Sequence, residues 1–197
     1  MNKSVALAIG LLVFFVAGIG AYFVKTDNQK EILLQAESSP DASVVQFSLP
    51  DITGVQRESS EWHGKARMIN FWATWCAPCR REIPLLKKTQ EEHAANNVQI
   101  IGIAVDFPEE VAAYAEEAQF NYPILVGQED AMAIAETTGI EFIGMPFTMI
   151  VAPSGELIKA HIGEIVESHI EQILEVFDDL EQGHVDIVGA RKALQSL

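Results

Sequence analysis

Short apolar runs and segments of helical periodicity alternate along the chain from about residue 44 onward. The apolar runs predict strands at 68–73, 98–105, 122–126, 147–151 and 157–163. Apolar residues at helical spacing predict helices at 80–97, 109–119, 130–138 and 166–181. Pro153, Ser154 and Gly155 stand between the last two strands and are typical of a hairpin turn. This order of elements predicts an α/β domain with a mixed sheet and helices packed against it.

The first apolar segment is different, because residues 4–24 contain no charged side chain. Its 21 residues match about one bilayer span, whereas the apolar core of a signal peptide is about 7 to 15 residues long. We therefore predict a single transmembrane anchor, with a cleaved signal peptide as the open alternative. Lys3 forms a compact basic flank while acids soon follow Lys25, which predicts a cytoplasmic N-terminus at 1–3 and an outward-facing domain.

The rest of the chain divides by composition into three parts. Residues 25–42 lack a sustained apolar period and are interpreted as a linker. Residues 43–181 carry the globular pattern, and residues 182–197 have no assigned structure. A chain of 197 residues is long enough for about one ordinary domain besides the anchor and linker.

The charge of the protein is strongly acidic, at −15 for 13 basic and 28 acidic side chains. Nucleic acid is a poor partner for such a chain, because neutralising phosphates requires a basic patch. Between residues 89 and 190 there are twenty acids and one base, whereas seven of the thirteen bases lie between Arg57 and Lys88. We interpret the acids as solvated helix faces, and the basic region as a hypothetical docking surface.

The chain has two cysteines, Cys76 and Cys79, where a predicted strand passes into a helix. A disulfide between them closes a very short loop and would stabilise the fold poorly. At a helix N-terminus, unpaired N–H groups and the helix dipole favour a thiolate at Cys76, the species that attacks disulfides. Cys79 lies close enough to resolve a mixed disulfide, and Trp75 and Pro78 would shield and stiffen the turn.

Two cysteines can also belong to other kinds of site. A structural zinc site needs four ligands, and covalent haem attachment needs a histidine where Arg80 stands. An inert disulfide and a membrane-tethered metallochaperone or adaptor that holds a soft metal such as Cu(I) stay open. A thiol peroxidase is a further alternative, although its peroxide pocket would need Thr or Pro in place of Trp75.

The segment at 71–84, FWATWCAPCRREIP, closely resembles the active-site segment of TlpA/ResA-like proteins, which are related to CcmG/DsbE. The resemblance continues through 47–51 (FSLPD), 144–148 (GMPFT) and 153–156 (PSGE), and covers about residues 43–181. It implies a thioredoxin-like fold with a mixed β-sheet flanked by helices and an N-terminal transmembrane helix. It also implies a membrane-tethered thiol–disulfide oxidoreductase of the bacterial cell envelope.

The resemblance assigns roles to residues that the pattern alone does not single out. It implies a cis peptide bond before Pro146, packed against the cysteine pair, with Met145 as a substrate contact. One departure concerns Asn70, because thioredoxin carries a buried Asp there that exchanges a proton with the second cysteine. Some members of the family recruit an acid from the following β-α segment instead, and our candidates are Asp106 first and Glu109 second.

We therefore expect an anchored oxidoreductase of the bacterial inner membrane, facing the periplasm or extracytoplasmic side. Cys76 would attack a partner disulfide and Cys79 would release the reduced product. The uncharged Ala77-Pro78 spacer favours a reductant over a strong oxidant. The family resemblance suggests partner proteins in cytochrome c maturation or copper-site assembly. The chain has no flavin or nicotinamide motif, so we expect no cofactor and a membrane thiol protein as electron donor.

Overall fold

The computed structural model of the protein describes residues 44–139 and 142–197. The predicted anchor at 4–24 and the predicted linker at 25–42 lie outside the described residues. None of the helices in this part of the chain combines the length and apolar character needed to cross a bilayer.

A five-stranded mixed sheet forms the centre of the domain, in the order β5-β4-β3-β6-β7. Its strands are β3 (Ala66–Trp72), β4 (Val98–Val105), β5 (Ile124–Gly127), β6 (Phe147–Val151) and β7 (Leu157–Ile162). β3, β4 and β5 are parallel, whereas β6 is antiparallel to both β3 and β7. Two short strands, β1 (Ser48–Pro50) and β2 (Gln56–Glu58), form a separate antiparallel pair.

Helices cover both faces of this sheet. They are α1 (Ala77–His93), α2 (Pro108–Ala118), α3 (Glu129–Glu136), α4 (Glu167–Glu181) and α5 (Ile187–Ala193). Apolar side chains of α1, α2, α4 and α5 form one core with one face of the sheet, and α3 and the segment around β1 form a second core on the other face. The predicted mixed sheet flanked by helices is therefore confirmed.

The central strand β3 determines where the chemistry lies. All seven of its residues are buried, and its side chains alternate between the two cores. Asn70 and Trp72 are on the face that α1 covers, whereas Phe71 points to the other face. The chain leaves the sheet after Trp72 and enters α1 five residues later, so the cysteines lie at the C-terminal end of the central strand.

The five strands and four helices predicted from periodicity are present, with boundaries that differ by at most four residues. α1 begins at Ala77 rather than at residue 80, because Pro78 fits the first turn of a helix, where a missing N–H costs nothing. The helix continues through Pro84. β2 and α5 were not predicted.

The C-terminal helix α5 is part of the domain and packs beside α4 and β7, which is an edge strand. Ala190 and Leu194 are fully buried in the same core as α1. The guanidinium of Arg191 donates to the carbonyl of Leu157 from Nε at 3.1 Å and from Nη2 at 2.9 Å. The segment after α4 thus buries apolar surface and satisfies a polar group of an exposed sheet edge.

We expect truncation of Leu194 to destabilise the whole domain. Leu194→Ala should lower the free energy of unfolding by about 2 to 4 kcal/mol, because it leaves a cavity in the main core. Val188→Ala on the same helix is the matched control, since Val188 is 66% exposed and its truncation should cost less than about 0.5 kcal/mol. Urea titration of both variants checks this, and equal midpoints would show that α5 contributes nothing to folding.

Candidate active site

Cys76 and Cys79 are joined by a disulfide at the N-terminus of α1. Cys76 is the N-cap residue, and its Sγ accepts a hydrogen bond from the backbone N of Cys79 at 3.3 Å. This is the position where the orphan N–H groups and the positive end of the helix dipole stabilise negative charge. A thiolate at Cys76 in the reduced protein is therefore favoured by the backbone itself.

The two cysteines differ in their access to solvent. Cys79 is fully buried, whereas Cys76 is 5% exposed and follows Trp75, which is 71% exposed. Ala77 is also exposed and Pro78 is half-buried, so the turn itself is at the surface. The solvent-facing side of the cysteine pair is therefore the side of Cys76 and Trp75.

The loop before β6 forms the second side of the site. The Met145–Pro146 peptide bond is cis, and the carbonyl of Pro146 accepts from the backbone N of Gly163 at 2.9 Å. Met145 is half-buried and packs against the core cluster that contains both cysteines. Pairing of β6 with β3 starts at Phe147, so Met145 stands just beyond the end of the sheet ladder.

Glu82, one turn after Cys79 on α1, is a buried acid that the sequence-based candidates did not include. It is 1% exposed, and each of its carboxyl oxygens accepts one hydrogen bond. Oε1 accepts from Asn70 Nδ2 at 2.7 Å, and Oε2 accepts from the backbone N of Ile165 at 2.6 Å. The signal in the sequence is positional, since residue 82 shares the helix face of Cys79 and Leu86.

The environment of Glu82 makes it a group that changes protonation near neutral pH. Burial raises the pKa of Glu82 to about 7, although the hydrogen bonds from Ile165 and Asn70 act in the opposite direction. Asn70 is neutral, but the site still contains a buried carboxyl. That carboxyl belongs to Glu82 on α1, and the Asn70 amide donates a hydrogen bond to it.

Asp106, our first sequence candidate for proton transfer, braces the turn before the cysteines. Its Oδ2 accepts from the backbone N and the hydroxyl of Thr74 at 2.9 Å and 2.6 Å. Its Oδ1 accepts from the backbone N of Phe107 at 2.8 Å. Glu109 is exposed in the first turn of α2. Proton transfer by either residue stays a prediction, and the contacts of Asp106 support a structural role at Thr74.

The basic residues next to the cysteines point outward. The guanidinium of Arg80 lies 5.3 Å from the ring centroid of Tyr114 on α2. The Arg81 guanidinium pairs with Glu164 in the loop between β7 and α4, with Nε 3.1 Å and 3.2 Å from the two carboxylate oxygens. The pair joins the exposed side of α1 to the loop whose Ile165 amide holds Glu82.

Three comparisons place this geometry among known proteins. The AhpC/TSA family model matches residues 40–160. The thiol-disulfide oxidoreductase ResA of Geobacillus kaustophilus is 28% identical over 79% of this chain and 86% of its own. The thioredoxin-like protein YneN of Bacillus subtilis is 30% identical over 77% of this chain and 86% of its own.

A solved structure gives the same result for the fold. The thioredoxin-family thiol:disulfide interchange protein of Chlorobium tepidum is 26% identical and superposes with a TM-score of 0.61. The match covers 68% of this chain and 93% of that protein. The described domain therefore has a thioredoxin-like fold, as the sequence predicted.

The raised pKa of Glu82 predicts that stability depends on pH. A glutamate titrates near 4.5 when exposed and near 7 here, so the folded state binds the proton more tightly than the unfolded state. The resulting contribution to the free energy of unfolding is fully present below pH 4.5 and is lost as the pH rises to about 7. Its size is about 3 kcal/mol.

Glu82→Gln should remove this pH-dependent component, because an amide does not titrate. The measurement is urea denaturation of the oxidised protein at pH 4.5 and pH 8, and the difference between the two values should shrink in the variant. Glu109→Gln at an exposed position is the control and should keep the wild-type difference. An unchanged difference in Glu82→Gln would contradict the assignment.

Proposed function

Because the chain belongs to the AhpC/TSA family and is a thiol–disulfide oxidoreductase, we propose that it reduces disulfides in partner proteins through Cys76 and Cys79. One observation carries the proposal. The cysteines lie as a disulfide at the N-terminus of α1, and the buried Glu82 follows one turn later. Met145, whose bond to Pro146 is cis, packs against the core cluster that contains both cysteines. This arrangement supports a site in which Cys76 forms the thiolate, the backbone of Met145 contacts the substrate and Glu82 exchanges a proton.

In the proposed reaction, the Cys76 thiolate attacks one sulfur of the partner disulfide. The partner S–S bond breaks, and its leaving sulfur departs as a thiolate that takes up a proton. The Cys79 thiolate then attacks the Cys76 sulfur, which forms the Cys76–Cys79 disulfide and releases the second partner thiol. Two electrons pass to the partner, and the pair is left oxidised, which is the state in the structure.

Glu82 serves the second step by accepting the proton of Cys79. Cys79 is fully buried, so its thiol has no bulk water into which to release a proton. Residues three apart on a helix are neighbours, and a carboxyl whose pKa is about 7 is ionised or protonated with little cost near neutral pH. Asp106, held by Thr74, would keep the turn before Cys76 in place.

The direction of electron flow follows from what surrounds the thiolate. A strong oxidant over-stabilises its reduced form, which requires a strongly favoured thiolate. Here the residues between the cysteines are Ala77 and Pro78, which carry no charge, and Arg81 is paired with Glu164. These features support a reductant.

The proposed setting is the bacterial cell envelope. An uncharged segment at 4–24 would anchor the chain in the inner membrane, and a linker at 25–42 would carry the domain on the extracytoplasmic side. The substrates would be oxidised cysteine pairs of envelope proteins, such as the haem-binding cysteines of apocytochrome c or proteins of copper-site assembly. A membrane thiol protein would return electrons to the Cys76–Cys79 disulfide.

The reduction potential of the cysteine pair tests the direction. We expect a value near or below about −270 mV, that of thioredoxin, when the purified protein is equilibrated with a dithiol buffer. A value near about −120 mV would identify an oxidant and reverse the proposed flow. A pair that does not equilibrate at all would favour the adaptor or metallochaperone alternative.

Trapping of the intermediate tests the order of attack. Reduced Cys79→Ser should accumulate a mixed disulfide through Cys76 when mixed with an oxidised model protein such as insulin, because no resolving thiol remains. Cys76→Ser is the matched control and should trap at least about tenfold less, since Cys79 is fully buried. Non-reducing mass spectrometry detects the adduct, and equal trapping by both variants would refute the assigned roles.

A further inference from the structure

The Asn70 side chain stands between Glu82 and Thr148, with the same amide nitrogen in contact with both. Asn70 Nδ2 is 2.7 Å from Glu82 Oε1 and 3.0 Å from Thr148 Oγ1. Thr148 is fully buried, and Asn70 and Glu82 are each 1% exposed. One end of one amide therefore faces a carboxyl and a hydroxyl in the core.

A buried carboxyl that titrates requires different partners in its two states. The ionised form of Glu82 only accepts hydrogen bonds, whereas the protonated form must also donate one. Its Oε2 faces the backbone N of Ile165, which can only donate. The proton must therefore sit on Oε1, and the group facing Oε1 must then accept.

An amide and a hydroxyl together meet both requirements. The nitrogen end of the Asn70 amide donates to an ionised Glu82 and to the Thr148 oxygen. After a 180° rotation, its oxygen end takes the same place, accepts from a protonated Glu82, and accepts the Thr148 hydroxyl hydrogen through its second lone pair. We propose that Asn70 and Thr148 are positioning residues that keep Glu82 hydrogen bonded in both of its protonation states.

Other charged and titratable groups near this site are few in the described part of the chain. The Tyr122 ring lies close to Glu82, and burial raises the pKa of Tyr122, so it stays neutral. Glu164 is close by and is paired with Arg81. His161 pairs with Thr148 across β7 and β6, and burial lowers the pKa of His161, which keeps it neutral near pH 7. Asn70 and Thr148 are thus the uncharged partners that can adapt.

The consequence concerns the cost of proton exchange. A buried polar group that loses its partner is costly, so a fixed donor opposite Oε1 would penalise the protonated form of Glu82. A partner that can either donate or accept a hydrogen bond removes that penalty. Glu82 can then take up or release a proton. This part of the inference rests on the proposed role of Glu82 in the second step of exchange.

The test follows Glu82 in the oxidised full chain, where Cys76 and Cys79 do not titrate. The probe is the ¹³C resonance of its side-chain carboxyl, assigned by its loss in Glu82→Gln. Thr148→Val removes the hydroxyl at nearly constant shape, so in the ionised state one buried N–H of Asn70 loses its acceptor. In the protonated state only one lone pair of the amide oxygen is left unfilled, which costs less.

Thr148→Val should therefore raise the titration midpoint of Glu82 by about one pH unit. Thr148→Ser restores the hydroxyl and should return the midpoint to the wild-type value. Thr89→Val is the matched control, because Thr89 is also buried but its hydroxyl donates to the Leu85 carbonyl within α1. In the wild type, the side-chain ¹⁵N resonance of Asn70 should titrate with the Glu82 midpoint.

A second variant covers the case in which Thr148→Val does not fold. Asn70→Asp would place two carboxyls together, and their titration should split into two separated steps. An unchanged midpoint in Thr148→Val, an Asn70 resonance that does not respond to pH, or a single unshifted step in Asn70→Asp would each overturn the proposal. These outcomes are independent of disulfide exchange, because failure of the proposed function would instead appear in the trapping and potential experiments.

Discussion

The hydrogen-bonded carboxyl of Glu82 ties together the three elements that build the site. It joins α1 to the central strand through Asn70 and to the loop after β7 through the amide of Ile165. A carboxyl in this position is costly to bury unless both oxygens are paired, so the strand, the helix and the loop must be in register for the domain to be stable. The same constraint places a titratable group one turn from Cys79. Stability and the proposed chemistry therefore depend on the same contacts.

The turn before the cysteines is flanked by segments next to both strands that neighbour β3 in the sheet. Asp106 follows β4 and accepts two hydrogen bonds from Thr74, which fixes the backbone just before Trp75. The loop that leads into β6, on the opposite side of β3, contains the cis bond before Pro146. Because β3 lies between these strands, its C-terminal end is flanked by the contacts of Asp106 on one side and by the loop of the cis bond on the other.

Much of the fold and part of the site followed from local patterns. Apolar runs and helical spacing located the core strands and α1 to α4, because burial on one face leaves a period in the sequence. The spacing of Cys76 and Cys79 at a strand-to-helix junction indicated the chemistry. β2 was missed because its residues, Gln56 to Glu58, are polar and pair only with β1. α5 was missed because it is short and its buried residues are few.

The features of the site that the sequence did not reveal depend on long-range contacts. Glu82 looks like a solvated helix residue until the register of α1 on β3 is known, and its partner amide at Ile165 is 83 positions away. Proton transfer between Asp106 and Cys79 stays a prediction, and the contact of Asp106 with Thr74 cannot be inferred from either segment alone. The spacing along α1 offered the one usable signal. Glu82 is three residues after Cys79 and four before Leu86, so it falls on the apolar face of the helix.

The unequal burial of the two sulfurs supports a fixed order of events. Attack from outside is limited to Cys76, which lies at the surface turn beside the exposed Trp75 and carries the stabilising field of the helix N-terminus. Cys79 is fully buried, so in the proposed mechanism its deprotonation depends on a neighbouring base. A carboxyl whose pKa is near 7 suits that task, because it takes a proton from the thiol without holding it permanently. In the proposed mechanism, the helix end thus activates Cys76, and the buried network of Glu82 activates Cys79.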